Sequence, residues 1–396
     1  MSAAVVPAIP EEVREIARTL EDAGFEAWCV GGALRDALLG HPHSDYDFAT
    51  SATPAQVTAL FRRTAPVGEK YGTVGVLDRH RVLHEVTTFR RDVTSDGRHA
   101  VVAYGVSLDE DLARRDFTIN AIAYHPLREE WRDPFGGRDD LARGLIRAVG
   151  EPSERFREDY LRILRGVRFA ARLGFTVEPA TWQAAADAAS GLSQLSAERV
   201  RDEWFKGLRT ARSPAELVEL WVRVGAARHW MPELLAVPSD VLERTRALPH
   251  AQRDPVLLTM LLVGDAAPVL RRLRASNAEI ERAAAVARAP APPPGGELRA
   301  VRRWLAQVGS AADDLMALTE VRTGAMAPWA ERVAEVRARR DPLSRGDLAV
   351  SGRDLQALGA QGPRVGELLA TLLDRVLDDP ALNERETLLG IAREQL

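Results

Sequence analysis

A change of period along the chain constrains its fold most. Up to Phe89 strand-like runs alternate with helical ones. From Ser153 onward the apolar spacing is helical, glycine and proline fall between the segments, and no run reads as a strand. Residues 11–23 read as an amphipathic helix closed by Gly24, and residues 25–30 as a buried strand that runs into Gly31-Gly32. Residues 33–39 read as a short helix. Further strands are expected at 45–50, 73–77 and 82–89, with a helix near 54–62. The expected fold class is therefore α+β, an N-terminal head with a mixed β-sheet followed by an all-α remainder. Turn-forming residues at Gly150-Glu151-Pro152 and around 211–214, and the proline-rich segment 289–296, divide the chain into expected domains at 1–150, 151–210, 211–290 and 297–396.

Charge and cysteine usage narrow the function classes. A net charge of −4 and a pI near 6.1 argue mildly against a nucleic-acid partner, although a global balance can hide a local basic patch. Only Lys70 and Lys206 of the 53 basic residues are lysines, so any such patch is built from arginine, whose fork fits phosphate and base edges; a GC-rich genome would give the same bias. Cys29 is the single cysteine, which rules out an intramolecular disulfide and argues against a cysteine-ligated zinc site. The first ten residues lack a basic leader region. The longest apolar run, 256–263, is far below the ~20 residues that span a bilayer. A cytoplasmic protein with no membrane partner is expected.

Asp45 and Asp47 stand at i and i+2 on an expected strand, so both carboxylates share a face while Tyr46 and Phe48 turn to the core. Such a pair can hold two Mg²⁺ ions for phosphoryl transfer. Alone it equally describes a solvated strand. Gly31-Gly32 would let a triphosphate approach the backbone at a helix start, with Arg35 on the first turn; alone it describes a turn. Glu85 is either a third carboxylate or an exposed strand residue. In the segment 158–172 a helical wheel gathers Arg162, Arg165, Arg168 and Arg172 on one arc with Asp159 beside Arg162. The ordinary reading is a solvated basic face. The sharper one is base recognition: a carboxylate with a guanidinium matches the amino group and bare ring nitrogen of C or A, and mismatches G or U.

Five blocks in fixed order resemble the bacterial class II tRNA nucleotidyltransferases, the CCA-adding enzymes that share a fold with poly(A) polymerases. They are Val30-Gly31-Gly32-Ala33-Leu34-Arg35-Asp36 with Asp45-Tyr46-Asp47, Arg114-Arg115-Asp116-Phe117-Thr118-Ile119-Asn120-Ala121, Asp133-Pro134-Phe135-Gly136-Gly137 through Leu145-Ile146-Arg147, Glu158-Asp159-Tyr160-Leu161-Arg162, and Glu198-Arg199-Val200-Arg201-Asp202-Glu203. The resemblance implies a head, neck, body and tail, and addition of C, C and A to the 3′ end of tRNA from CTP and ATP with two Mg²⁺ ions. It implies Asp45 and Asp47 as metal ligands, with Glu85 as a catalytic candidate. Gly31, Gly32, Arg35, Arg115, Asp116 and Asn120 become nucleotide-binding candidates, with Asp116 on the ribose. Asp159 and Arg162 would template the base, supported by Arg165 and Arg168.

The segment 91–106 occupies the family's flexible loop but reads Asp96-Gly97-Arg98-His99-Ala100, without the usual proline. Members that add only the two cytidines have lost most of this loop, so its presence favours full or A-only addition. The segment 67–73 looks like that of the tRNA-specific enzymes rather than the polymerases. No His-Asp dipeptide marks an appended phosphohydrolase, and His229 and His250 read as structural or surface residues. Gly362-Pro363 is similar to a tail motif that would meet the tRNA backbone. An A-only or CC-only enzyme, a poly(A) polymerase and an inactive RNA-binding homologue remain as alternatives, and the sequence leaves the oligomeric state open.

Overall fold

The computed structural model describes residues 7–41, 45–67, 72–95, 100–294 and 296–396, with the backbone alone at 92–95 and 100–103. The chain forms two compact units, Met1–Ala236 and Val237–Leu396. The first unit begins with α1 (Glu11–Asp22), whose Val13, Ile16, Ala17 and Leu20 recur at helical spacing and are buried. A seven-stranded mixed sheet follows. Its strands are β1 (Ala27–Val30), β2 (Asp47–Thr50), β3 (Thr64–Ala65), β4 (Thr73–Leu77), β5 (Leu83–Thr88), β8 (Ala123–His125) and β9 (Glu130–Arg132), in the order β3-β4-β5-β2-β1-β8-β9. Only β2 and β5 run parallel.

The sheet's two faces differ. Cys29, Tyr46, Phe48, Val74, Val76 and Val86 point into one core with α1, α2 (Gly31–Leu38) and α3 (Pro54–Leu60). On the other face Trp28, Val30, Ala49 and Phe89 pack with Leu108 and Leu112 of α4 (Leu108–Ala113). That helix leaves the carboxylates of β2 and β5 uncovered beside it.

Several expectations are corrected. Helix α2 starts at Gly31, not Ala33: with Val30 as the extended residue before it, both glycines form its first turn. The strand expected at 45–50 pairs only from Asp47, and that at 25–30 only from Ala27. Strands β8 and β9 carry too few β-branched residues to show a period of two. The segment 91–106 is a ribbon rather than a loop, since β6 (Arg90–Ser95) and β7 (Ala100–Tyr104) pair antiparallel. Its residues 96–99 lie outside the described residues, as do Ser44 and residues 68–71 of the segment 67–73. A strand also occurs after Ser153, where none was expected. The two residues of β11 (Thr176–Val177) lie parallel to β10 (Leu145–Ile146), too short for a period to register.

Six helices complete the first unit: α6 (Pro152–Glu158), α7 (Leu161–Leu173), α8 (Pro179–Asp187), α9 (Ala197–Thr210), α10 (Pro214–Arg223) and α11 (Ala226–Trp230), preceded by α5 (Gly137–Arg143) in the head. Helix α7 is buried on nearly every side between α9, α10 and the head, and the Trp204 and Trp221 rings meet edge to face at 5.0 Å. The second unit is all helix, from α12 (Ser239–Arg246) to α21 (Arg385–Arg393). One of its cores surrounds Trp304 and Trp329, another Leu355, Leu372 and Leu388. The proline-rich segment lies inside this unit, where the Pro290 carbonyl accepts a hydrogen bond from Trp304 Nε1 at 2.9 Å.

Gly137 opens α5 against the turn Thr118–Asn120, where a Cβ would stand 2.0 Å from the Thr118 carbonyl oxygen. Relief requires moving that backbone, so Gly137→Ala should cost about 1–3 kcal/mol in urea denaturation. Loss of chain entropy in the unfolded state would instead stabilise the variant by about 0.4–1 kcal/mol. The sign of the change decides.

Candidate active site

One cleft of about 970 Å³ in the first unit is lined by Gly31, Gly32, Arg35, Asp45, Asp47, Glu85, Arg115, Asp116, Asn120, Asp159, Arg162, Arg165 and Arg168. The metal-ligand and nucleotide-binding candidates from the sequence therefore all line one cleft. The sequence reading missed Asp36, Thr73, Thr87, Arg172, Arg199 and Lys206, which line it too. Arg199 lay within a recognised block, and Arg172 on the arginine arc of α7.

At the sheet end, Asp47 leaves β2 toward the cleft while Tyr46 and Phe48 are buried behind it. Glu85 takes the same side of β5, with His84 and Val86 on the other. Burial pushes the Asp47 carboxyl up to about 7, reinforced by Glu85 and Asp45 and opposed by Arg115. Gly31 has φ +82°, a conformation that favours glycine, and a Cβ there would come within 3.3 Å of Asp47 Oδ2.

Among the described residues no three His, Cys, Asp or Glu side chains converge as a ready-made metal cage. Paired hard oxygen donors beside an open cleft fit Mg²⁺, which takes one or two carboxylates and fills its remaining positions with water and substrate phosphate. Burial first, and then the neighbouring Glu85 and Asp45 carboxylates, disfavour the ionised Asp47 carboxyl, and a cation bound there would favour it.

A relay of buried polar groups crosses the cleft from α2 to α7. Asp36 accepts from Arg172 at 2.6 Å and from the Arg35 guanidinium at 2.7 and 2.8 Å. Arg35 donates to Asn120 Oδ1 at 2.7 Å, Asn120 donates to Asp116 at 2.9 Å, and Arg165 donates to Asp116 at 2.7 Å. Arg35 is only 2% exposed and lies beyond the first turn of its helix, and its guanidinium is held in this relay at the wall of the cleft. Phe169 lies under three guanidiniums, those of Arg35, Arg165 and Arg168, at 5.1, 5.4 and 4.4 Å from its ring centre. Burial alone would raise the Asp116 carboxyl, but Arg165, Asn120 and the Phe117 amide more than offset it and hold it down at about 2.

The far wall departs from expectation. Asp159 is not on the helix with Arg162 but is the extended residue that ends α6, and the two meet only through the Arg162 amide, which donates to the Asp159 carbonyl at 3.1 Å. Asp159 accepts from Arg199 at 2.6 Å and from the Leu161 amide at 3.1 Å. Arg162 donates to Glu158 at 2.6 Å and to the Arg114 carbonyl at 3.0 Å. Arg168 pairs with Glu203 at 2.5 Å, both nearly buried. The arginine arc is thus not a solvated face.

A mixed sheet with paired aspartates on its open side and a glycine-started helix beside them, carried on a helical stem with an arginine wall, defines a nucleotidyltransferase. Residues 27–147 match the family model of the "Poly A polymerase head domain", and residues 174–237 that of the "Probable RNA and SrmB- binding site of polymerase A". The CCA-adding enzyme of Lactiplantibacillus plantarum is 37% identical over 98% of this chain and 97% of its own. That of Geobacillus stearothermophilus is 36% identical over 97% of each. The crystal structure of the Bacillus stearothermophilus CCA-adding enzyme in complex with CTP superposes with a TM-score of 0.81 at 34% identity, covering 97% of both chains. The chain belongs to the family of CCA-adding enzymes, the tRNA nucleotidyltransferases.

The low Asp116 carboxyl sets a pH dependence. A group whose pKa is lower folded than unfolded stabilises the fold above its ordinary range and loses that contribution as pH falls toward the folded value. Asp116→Asn should therefore be less stable than the parent by about 2–3 kcal/mol near neutral pH. The gap should narrow to roughly half near pH 3. Urea midpoints across that range measure it; a gap constant with pH would refute the assignment.

Proposed function

We propose that this chain adds C, C and A, one nucleotide at a time and without a template, to the 3′ end of tRNA, using CTP and ATP and releasing pyrophosphate. The observation that carries this reading is the single cleft, which has crowded carboxylates at one end and a carboxylate with a guanidinium, Asp159 and Arg162, at the other. Asp45 and Asp47 would hold two Mg²⁺ ions, with Glu85 beside them. Bound there, the ions supply activation of the RNA hydroxyl and neutralisation of pyrophosphate charge.

The chain's own residues do the rest. The first turn of α2, opened by Gly31 and Gly32, presents backbone N–H groups to the triphosphate. Arg115 adds positive charge beside Asp47. Asp116, ionised and held by Arg165, is an acceptor for the ribose hydroxyl. Asp159 accepts the amino group of C or A and Arg162 donates to its bare ring nitrogen, with Arg165 and Arg168 fixing the wall. Residues 1–150 act as the nucleotidyltransferase head, 151–210 as the base-reading neck, 211–290 as the body and 297–396 as a tRNA-binding tail. The cell compartment is the cytoplasm; among the described residues no helix is long and apolar enough to cross a membrane. The ribbon β6–β7 supports full or A-only addition over CC-only addition.

Denaturing gels of tRNA lacking its terminal CCA should show two added residues with CTP and three with CTP and ATP. No extension with CTP would overturn the reading in favour of A-only addition. Asp45→Ala should slow extension by more than about a thousandfold, because several kcal/mol of charge stabilisation is lost. Arg162→Ala should lower the preference for CTP over UTP by about 10- to 100-fold, as one matched group is worth ~1–3 kcal/mol. An unchanged preference would remove Arg162 from base reading.

A further inference from the structure

We infer that His84 is a positioning residue that sets the spacing of Asp45 and Asp47 for metal binding, through a hydrogen bond from its Nδ1–H to the Tyr46 carbonyl. The inference rests on the metal-binding reading of those aspartates. His84 lies on β5 with its side chain fully buried, on the side of the strand away from the cleft. Its Nδ1 is 3.0 Å from the Tyr46 oxygen, and since a carbonyl only accepts, Nδ1 carries the proton. Tyr46 stands between the two aspartates, and the bonded carbonyl belongs to the peptide that joins it to Asp47.

The backbone there lacks ladder support. Strand β2 pairs with β5 as Phe48↔Val86, Ala49↔Thr87 and Thr50↔Thr88, and with β1 only as far back as Asp47. Extending the parallel register by two residues puts Tyr46 opposite His84, where no backbone pairing is formed and the imidazole takes its place. The ring's other nitrogen argues against a packing role. Nε2 is 3.5 Å from Asp78 Oδ2 and makes no hydrogen bond. Asp78 itself is fixed by accepting from the His80 and Val82 amides at 2.8 Å each. The inward neighbours Val74, Val76 and Val86 are apolar. Among them a leucine would fill the space without burying an unbonded nitrogen. The Tyr46 bond is what an imidazole does there that leucine cannot.

Asparagine and glutamine separate the two nitrogens, since the Asn amide reaches where Nδ1 sits and the Gln amide reaches toward Nε2. Mn²⁺ binding to the full chain, followed by loss of the free-ion electron paramagnetic resonance signal, gives a readout independent of turnover. Groups that orient metal ligands typically change affinity 10- to 100-fold when removed. His84→Leu and His84→Gln should weaken Mn²⁺ binding about tenfold or more, while His84→Asn stays within about threefold of the parent. The Mg²⁺ concentration for half-maximal CTP addition should shift in the same order. His84→Leu binding Mn²⁺ like the parent, or His84→Asn binding as weakly as His84→Gln, would overturn the inference. If His84→Leu does not fold, the comparison of Asn with Gln decides alone. Asp47→Asn is the control: if it leaves Mn²⁺ binding unchanged, the metal-site reading fails rather than the role of His84.

Discussion

The cleft depends on Asp36 and Asp116, two buried carboxylates that each hold arginine across an element boundary. Asp36 at the middle of α2 binds both its neighbour Arg35 and Arg172 from α7. Asp116, just before the Thr118–Asn120 turn, binds Arg165, about two turns before Arg172 on α7. Removing either carboxylate leaves the arginines it holds without their partner in a largely water-poor setting. The helix that carries the arginine wall therefore has one placement against the sheet that carries the aspartates. Rigid opposition of these two surfaces allows a reacting phosphate at one end and a base edge at the other to belong to the same nucleotide.

The two halves of the cleft show opposite uses of charge. Around Asp116 positive groups outnumber negative ones, and its carboxyl is held low despite burial. Around Asp47 carboxylates crowd together, Arg115 only partly compensates, and the carboxyl is pushed up. The first arrangement is complete in itself and stabilises the fold. The second combines burial with neighbouring carboxylates, so in the proposed mechanism a bound cation would favour the ionised Asp47 carboxyl. His84 bears on the same region from behind, through its hydrogen bond to the Tyr46 carbonyl just ahead of β2.

Much of this was legible in the sequence, for reasons of geometry. The i, i+2 spacing of Asp45 and Asp47 with apolar Tyr46 and Phe48 determines their faces once the segment is extended, and the structure places them so. The arginine arc on α7 followed from the helical angle alone. What stayed hidden depended on long-range pairing. Strands of two or three residues, such as β8 and β11, have no period to read and exist only because a neighbour supplies hydrogen bonds. Asp159 falls on the helical wheel next to Arg162, yet the chain is extended at Asp159 itself, so the two side chains do not pair and only the Arg162 amide meets the Asp159 carbonyl. Phe169 was invisible as a site residue because its role comes from the packing of α7, and Arg199, though inside a recognised block, gained its role only from the placement of α9.

That break has a consequence for the proposed base reading. Were Asp159 and Arg162 paired with each other, an incoming base would have to separate two opposite charges and insert between them. Each instead has a separate partner, Arg199 for Asp159 and Glu158 for Arg162, while the Arg114 carbonyl also takes an Arg162 N–H. Binding then becomes an exchange of hydrogen bonds at two independent points. Cytosine or adenine returns an amino donor to the carboxylate and a ring acceptor to the guanidinium, so nothing is left unbonded. Uracil or guanine returns a carbonyl facing a carboxylate and an N–H facing a guanidinium, so both exchanges fail together. Because an unmatched buried group costs ~1–3 kcal/mol, two coupled failures discriminate far better than one, and shared chemistry at the C and A edges lets a single wall serve all three additions.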